Sequence, residues 1–194
     1  SACHNGHTAP PSGVPREEFT RERDCIREQI KKRAWNEKLK SYVSTLDGDG
    51  LDATLLRIAW YGMEAADSER MLGTYRKACE QLDAGNDLLY RYRREPPEGA
   101  FWICGFWAVE HLALAGKVKE AHEMFARLLA YGNDLGLFSE EMDPKTGDAL
   151  GNFPQAFTHI GLVSAALTLQ EKERGESHPA EKVGAEVATS KGTG

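Results

Sequence analysis

The run from Phe101 to Ala115, FWICGFWAVEHLALA, constrains the fold more than any other part of the chain. Phe101, Trp102, Ile103, Phe106, Trp107, Val109, Leu112 and Leu114 leave it apolar nearly all round. A helix of this kind has no face to offer water, so other elements must cover it on most sides. Gly116 follows where a glycine commonly ends a helix. With 194 residues, the chain is long enough to wrap such a helix within one domain.

The covering elements read as helices too. The first is predicted from Phe19 to Trp35, with Thr20 as N-cap and Ile26, Ile30 and Ala34 on one face. A second spans Ala53 to Ala66. A third starts after the capping Ser68 and carries Met71, Leu72, Tyr75, Cys79 and Leu82 on one stripe. The fifth, Val118 to Tyr131, turns Ala121, Phe125, Leu128 and Leu129 inward and Lys119, Glu120, Glu123 and Arg127 outward. The sixth, Phe153 to Gln170, is again apolar and built of small residues. No strand is predicted, and the fold class is all-α. Residues 1–18, rich in His, Pro, Gly and Ser, read as a loop or disordered lead-in, and 173–194 as a flexible polar tail, leaving one domain over 19–172.

Connection lengths alternate. Those at 36–52, 84–100 and 132–152 are long, while those near Asp67 and at Gly116-Lys117 are very short. Consecutive antiparallel helices place every second connection at the same end, so the three long loops share one face. The helices after those loops start near 53, 101 and 153, spacings of 48 and then 52 residues, which marks a helical-hairpin repeat. The second helix of each unit is predicted to be the more buried, giving an inner and an outer layer. An α/α barrel and a short solenoid of three hairpins both satisfy that pattern. In either, the long-loop face is where binding and catalysis belong.

Charge narrows the partners. A net charge of −6 argues against nucleic acid, because phosphate binding wants clustered Lys and Arg, and Arg91-Tyr92-Arg93-Arg94 and Lys31-Lys32-Arg33 are short and diluted by acidic neighbours. No run of about 18 apolar residues occurs, so no helical membrane span is predicted. Cys3, Cys25, Cys79 and Cys104 show neither CxxC spacing nor close pairing, and Cys79 and Cys104 read as small core hydrophobes. That usage suits a reducing compartment, and a cytoplasmic location is expected. His122-Glu123 lacks the second His of a zincin helix, and Asp143 to Asp148 lacks the alternating ligands of a calcium loop. Neither metal nor cofactor is expected.

The segment with chemical interest is Leu137 to His159, where Glu140 and Glu141 precede the tight turn Asp143-Pro144-Lys145-Thr146-Gly147. Residues 132–167, GNDLGLFSEEMDPKTGDALGNFPQAFTHIGLVSAAL, resemble the C-terminal part of glycoside hydrolase family 15, the glucoamylases, glucodextranases and bacterial trehalases. Gly50 to Leu56, Leu89 to Tyr92, and Glu98 to Phe101 leading to Phe106-Trp107 agree in order and spacing, so the resemblance covers roughly residues 20–170. It implies a barrel of six helical hairpins, of which this chain supplies the second half, and inverting hydrolysis of terminal α-glucosidic bonds without a cofactor. The general base is then Glu140. Glu141, Asp52, Tyr90 and Arg91 fall in the substrate shell, with an α-glucoside or oligosaccharide as the ligand.

The general acid of that family lies upstream in a Trp-Glu motif, and nothing here matches it, since Trp35 is followed by Asn36. The isolated chain is therefore expected to be inactive, with its inner helices covered by the missing half of the barrel or by self-association. The residues taken one by one leave alternatives open. Without the resemblance Glu140 reads first as a solvated loop carboxylate, and Asp52 reads equally as a cap for the helix at Ala53 and as a pocket residue. Tyr90, Arg91 and Tyr92 suit a sugar pocket or a turn packed on the rim. Trp102 and Trp107 read as core before they read as sugar platforms, and His111 and His159 read as structural. The rival of a different class is a non-catalytic helical repeat module that binds a protein or carbohydrate through its long-loop face.

Overall fold

The computed structural model of the protein describes residues 16–94, 98–179 and 181. Six α-helices run through it: α1 (Arg16–Arg33), α2 (Arg57–Trp60, entered through a 3-10 turn at Ala53–Leu56), α3 (Glu69–Leu82), α4 (Trp102–Leu114), α5 (Val118–Leu129) and α6 (Ala156–Glu173). Every residue of α4 is buried, as its composition demands. It packs against α6, α5, α2 and the 3-10 turn, so the helices that follow the long loops form an inner layer with α4 at its centre. Gly116 ends α4 at a φ of 77°, with its N–H on the Ala113 carbonyl and the Lys117 N–H on the Leu112 carbonyl, the double closure of a helix stopped by a left-handed glycine.

The long loops are not structureless. They carry seven strands of two or three residues, which the sequence reading did not foresee: β1 (Trp35–Asn36), β2 (Ser41–Tyr42), β3 (Asp83–Gly85), β4 (Leu88–Leu89), β5 (Ala100–Phe101), β6 (Glu141–Met142) and β7 (Ala149–Leu150). β1 pairs with β2 and β3 with β4, while β5, β6 and β7 form one antiparallel sheet. The sheet joins the second long loop to the third. The Ala53 N–H donates to the Arg91 carbonyl at 2.9 Å and joins the first to the second. Peptide groups that pack near a core must find partners, and here the loops satisfy one another. All three long loops thus meet on one face.

Several helix boundaries differ from the sequence reading. The first helix begins at Arg16, and Thr20 lies inside it rather than capping it; Glu17 and Glu18 supply the acidic first turn that favours a helix start. Phe19 and Ile26 are 61% and 58% exposed, so the predicted inward stripe holds only from Ile30 onward. The second helix stops at Trp60 instead of Ala66. Gly62 adopts a φ of 65°, its N–H bonds to Ala59 and that of Met63 to Ile58, the double closure that terminates a helix on a left-handed glycine. On α5, Leu129 faces out at 42% exposure and Met124 takes an inward place. The sixth helix starts at Ala156, behind a Gln155 side chain that accepts from the Phe157 N–H. It is not buried on all sides: Phe157, Ile160, Val163 and Leu167 are 51–64% exposed.

After α6 the chain turns back, and His178 is buried with its ring 5.8 Å from that of Trp60. Of the expected lead-in over 1–18, residues 1–15 lie outside the described residues, as do 180 and 182–194 of the expected tail over 173–194. Trp102 and Trp107 are core residues at 3% and 7% exposure, and Cys104 is wholly buried.

One buried group makes the core sensitive to acid. His111 is 1% exposed, stacks on Tyr75 with ring centroids 4.9 Å apart, and is held down to a pKa of about 4, chiefly by burial and then by Lys117. The unfolded chain takes up a proton near pH 6.5 that the folded chain refuses until about pH 4. The His111 contribution to stability therefore falls as pH drops through that window, by about 3 kcal/mol. Chemical denaturation at a series of pH values is expected to show that slope, and His111→Phe, which keeps the stacking partner for Tyr75, is expected to flatten it. An unchanged slope would place the acid sensitivity elsewhere.

Candidate active site

Glu140 stands on the loop face just before β6, half-buried. Its main chain extends the sheet: the Glu140 N–H donates to Asn152 at 2.9 Å, and its carbonyl accepts from the Trp102 N–H at 3.4 Å. Its side chain is held from one side. Oε2 accepts from Asn152 Nδ2 at 2.9 Å and from the Asn152 N–H at 3.2 Å, while Oε1 accepts no hydrogen bond among the described residues.

The two adjacent carboxylates diverge, because successive side chains along an extended strand leave on opposite faces. Glu141 turns toward the second long loop, where Oε2 accepts from the Gly99 N–H at 2.9 Å. Partial burial raises its pKa above the ordinary carboxylate value, with smaller contributions from Glu98 and Glu140 and an opposing one from the Gly99 N–H. The backbone between them is anchored by Ser139, which is buried. The Ser139 hydroxyl donates to the Glu141 carbonyl at 2.6 Å and accepts from Trp102 Nε1 at 3.2 Å, and the Ser139 carbonyl accepts from Thr158 at 3.1 Å. The start of α6 is tied in as well, through Gln155 N–H to the Phe138 carbonyl at 3.0 Å. His159 is held there by the Gln155 carbonyl at 2.7 Å.

Asp52 does cap the helix that follows it, accepting from the Thr54 N–H at 2.8 Å. Its other oxygen faces Arg91 Nε at 3.5 Å, so the cap and an ion pair coexist in one side chain. Tyr90 is half-buried, its N–H on the Leu82 carbonyl at 2.8 Å and its ring 5.9 Å from the Arg93 guanidinium. Neither Tyr90 nor the Asp52–Arg91 pair makes a hydrogen bond or ion pair with Glu140. They share its face, since Arg91 reaches Asp52 and Gly99 reaches Glu141. Asn152, Ser139 and Gly99 all lie in the stretches that resemble the family, but the sequence reading gave none of them a part in the site. Among the described residues no group of three or more His, Cys, Asp or Glu is placed to hold a metal ion, and no helix is long and apolar enough to cross a membrane.

The fold has counterparts among solved structures. A wild-type glycosidase superposes with a TM-score of 0.70 at 16% identity, covering 81% of this chain and 46% of its own. A glycosidase variant in complex with glucose gives a TM-score of 0.68 at 15% identity over the same shares. The inner and outer helix layers are therefore part of a helical α/α barrel, and the solenoid reading falls away.

Sequence relatives narrow the class. The profile of glycosyl hydrolases family 15 matches residues 12–167. A trehalase of Thermoplasma volcanium is 36% identical over 152 residues, which is 76% of this chain and 24% of the relative. A trehalase of Mycolicibacterium smegmatis is 37% identical over 137 residues, 66% of this chain and 20% of the relative. The chain belongs to glycosyl hydrolases family 15, and spans about a quarter of the length of the trehalases it matches.

Proposed function

We propose that this chain supplies the general base of an inverting α-glucoside hydrolase, that the base is Glu140, and that trehalose is the substrate. The observation that carries the reading is the state of Glu140: one carboxylate oxygen is fixed by Asn152, and the other accepts no hydrogen bond among the described residues, on the face where three loops converge. A base needs that arrangement, a carboxylate that is oriented yet has a lone pair to offer. The names of the relatives at 36% and 37% identity support trehalose over other α-glucosides.

In this mechanism a water held by Glu140 loses a proton to the carboxylate as its oxygen attacks the anomeric carbon. The bond from that carbon to the bridging oxygen breaks, and a second carboxylic acid protonates the leaving oxygen. Inversion requires the two carboxyl groups to stand about 6.5–9.5 Å apart, leaving room for the water. The acid comes from the hairpins that complete the barrel, with residues 19–172 as its second half. The exposed Phe157, Ile160, Val163 and Leu167 on α6, and Phe19 and Ile26 on α1, are the edges against which those hairpins close. Glu141, Asp52, Arg91 and Tyr90 bind the glucosyl hydroxyls from the converging loops.

The two anomeric carbons of trehalose are both α, so the products report the stereochemistry directly. Inversion at one centre releases equal amounts of β- and α-glucose, whereas retention releases α-glucose twice. Proton NMR during the first minutes of trehalose hydrolysis by the enzyme assembled from this chain and the remaining hairpins is expected to show both anomers in equal amount. α-Glucose alone at early times would overturn the inverting mechanism, and no glucose from trehalose would overturn the substrate.

A further inference from the structure

We infer that Asn152 is a positioning residue for Glu140: its side-chain amide and its own N–H together aim the carboxylate, leaving one oxygen directed to the attacking water. This deepens the proposed function and rests on Glu140 being the base.

The geometry is unusually local. Asn152 follows β7, and β7 pairs with β6 so that Glu141 faces Leu150 and Met142 faces Ala149. Continuing that ladder by one step would set Gly151 opposite Glu140, but the chain turns at Gly151 and the Glu140 N–H reaches one residue further, to the Asn152 carbonyl at 2.9 Å. That one-residue offset delivers two donors to Oε2, Nδ2 at 2.9 Å and the main-chain N–H at 3.2 Å. Gly151 makes the approach possible. It adopts a φ of 71°, and a Cβ placed on it would lie 2.9 Å from both Cβ and Oε2 of Glu140. Two donors converging on one oxygen restrict rotation of the carboxylate about its last bond, and hydrogen bonds to a charged acceptor are the stronger kind. A side chain that merely filled space would need neither the donors nor the register.

Two substitutions separate positioning from packing. Asn152→Ala deletes the Nδ2 bond and keeps both main-chain bonds. Asn152→Asp keeps the shape but sets an acceptor, charged at neutral pH, against Oε2. In the enzyme assembled with the remaining hairpins, Asn152→Ala is expected to lower kcat by about 10- to 100-fold with KM nearly unchanged. Asn152→Asp is expected to lower kcat further, although it is the closer mimic in shape. A structural role predicts the reverse order, since Ala leaves a hole and Asp does not, together with losses that track Tm. A kcat within about twofold of wild type for Asn152→Ala, or better activity for Asp than for Ala, would overturn the inference.

Glu140→Gln, assayed in parallel, tells the two ideas apart. If it stays active, the base assignment itself fails; if it is dead while both Asn152 variants are active, only the positioning role fails. A crystal structure of the assembled enzyme carrying Asn152→Ala gives a readout independent of turnover. The Glu140 carboxylate is expected to rotate away from its present orientation or to occupy several, and an unchanged single rotamer would overturn the inference whatever the kinetics.

Discussion

Glu140→Gln is expected to lower kcat on trehalose by about 10²–10⁴-fold, the span that a positioned general base contributes. The glutamine amide has nearly the shape of the carboxylate and can present its carbonyl oxygen to the Asn152 donors that now hold Oε2 at 2.9 and 3.2 Å. The loop and the fold are thus expected to survive, with Tm almost unmoved. What the amide cannot do is take a proton from water. The loss should fall on kcat and spare KM, because the base contributes most as the water attacks. Glu141→Gln provides the contrast. The Glu141 carboxylate is already engaged by the Gly99 N–H at 2.9 Å and points to the opposite side of the strand, so its loss is expected to be smaller and to appear mainly in KM. A Glu140→Gln enzyme that turns over trehalose at the wild-type rate would move the base to another carboxylate, and Glu141 would be the first to test.

The helical architecture was legible because its strongest signals are periodic. An apolar run as complete as that of α4 leaves a single placement, and the glycine at 116 ends it where expected. Glu140 stood out for a different reason: the motif around it is long and continuous, and it is the resemblance, not the composition, that proposes its role. The two carboxylates looked like a pair in sequence, and the strand that carries them sends them apart. Asn152 was hidden because its place beside Glu140 arises where the chain leaves the β6–β7 register at Gly151, and a Gly-Asn step ahead of a helix reads just as well as a simple turn. The second helix was overextended because Met63, Ala65 and Ala66 continue a helical pattern that Gly62 interrupts through its backbone alone. The open face of α6 agrees with the expectation that half a barrel leaves inner helices in need of cover: Phe157, Ile160, Val163 and Leu167 have the character of an inner-layer helix and no covering element among the described residues.

The most consequential element that periodicity concealed is a buried charge. Glu110 sits in the middle of α4 at 1% exposure, bonded to Arg57 of α2 and to the Ser164 hydroxyl of α6. The Arg57 guanidinium lies 3.9 Å from the Trp60 ring centroid, so its positive charge is shared between a carboxylate and an aromatic face. Three inner helices are thereby tied at one point, and each begins at a loop that carries part of the site: Asp52 before α2, Gly99 before α4 and Asn152 before α6. Burial pushes the Glu110 pKa up, and Arg57 and Ser164 pull it back.

Arg57→Ala leaves that carboxylate uncompensated and is expected to cost about 3–5 kcal/mol, whereas replacing both partners at once, Arg57→Met with Glu110→Leu, is expected to be close to neutral. The pH dependence has a definite sign. A carboxyl whose folded pKa is raised contributes stability below its unfolded value and loses it as pH rises through the folded one. The deficit of Arg57→Ala relative to wild type should therefore shrink as pH falls and Glu110 takes up a proton, even though His111 lowers the absolute stability of both proteins in acid. Urea unfolding of the wild type, the single variants and the double variant, at neutral and at mildly acidic pH, measures all of these terms. A single-variant loss that is small, or that grows on acidification, would mean that the Glu110 charge is satisfied without Arg57, and the tie between the three inner helices would have to be sought in their apolar contacts instead.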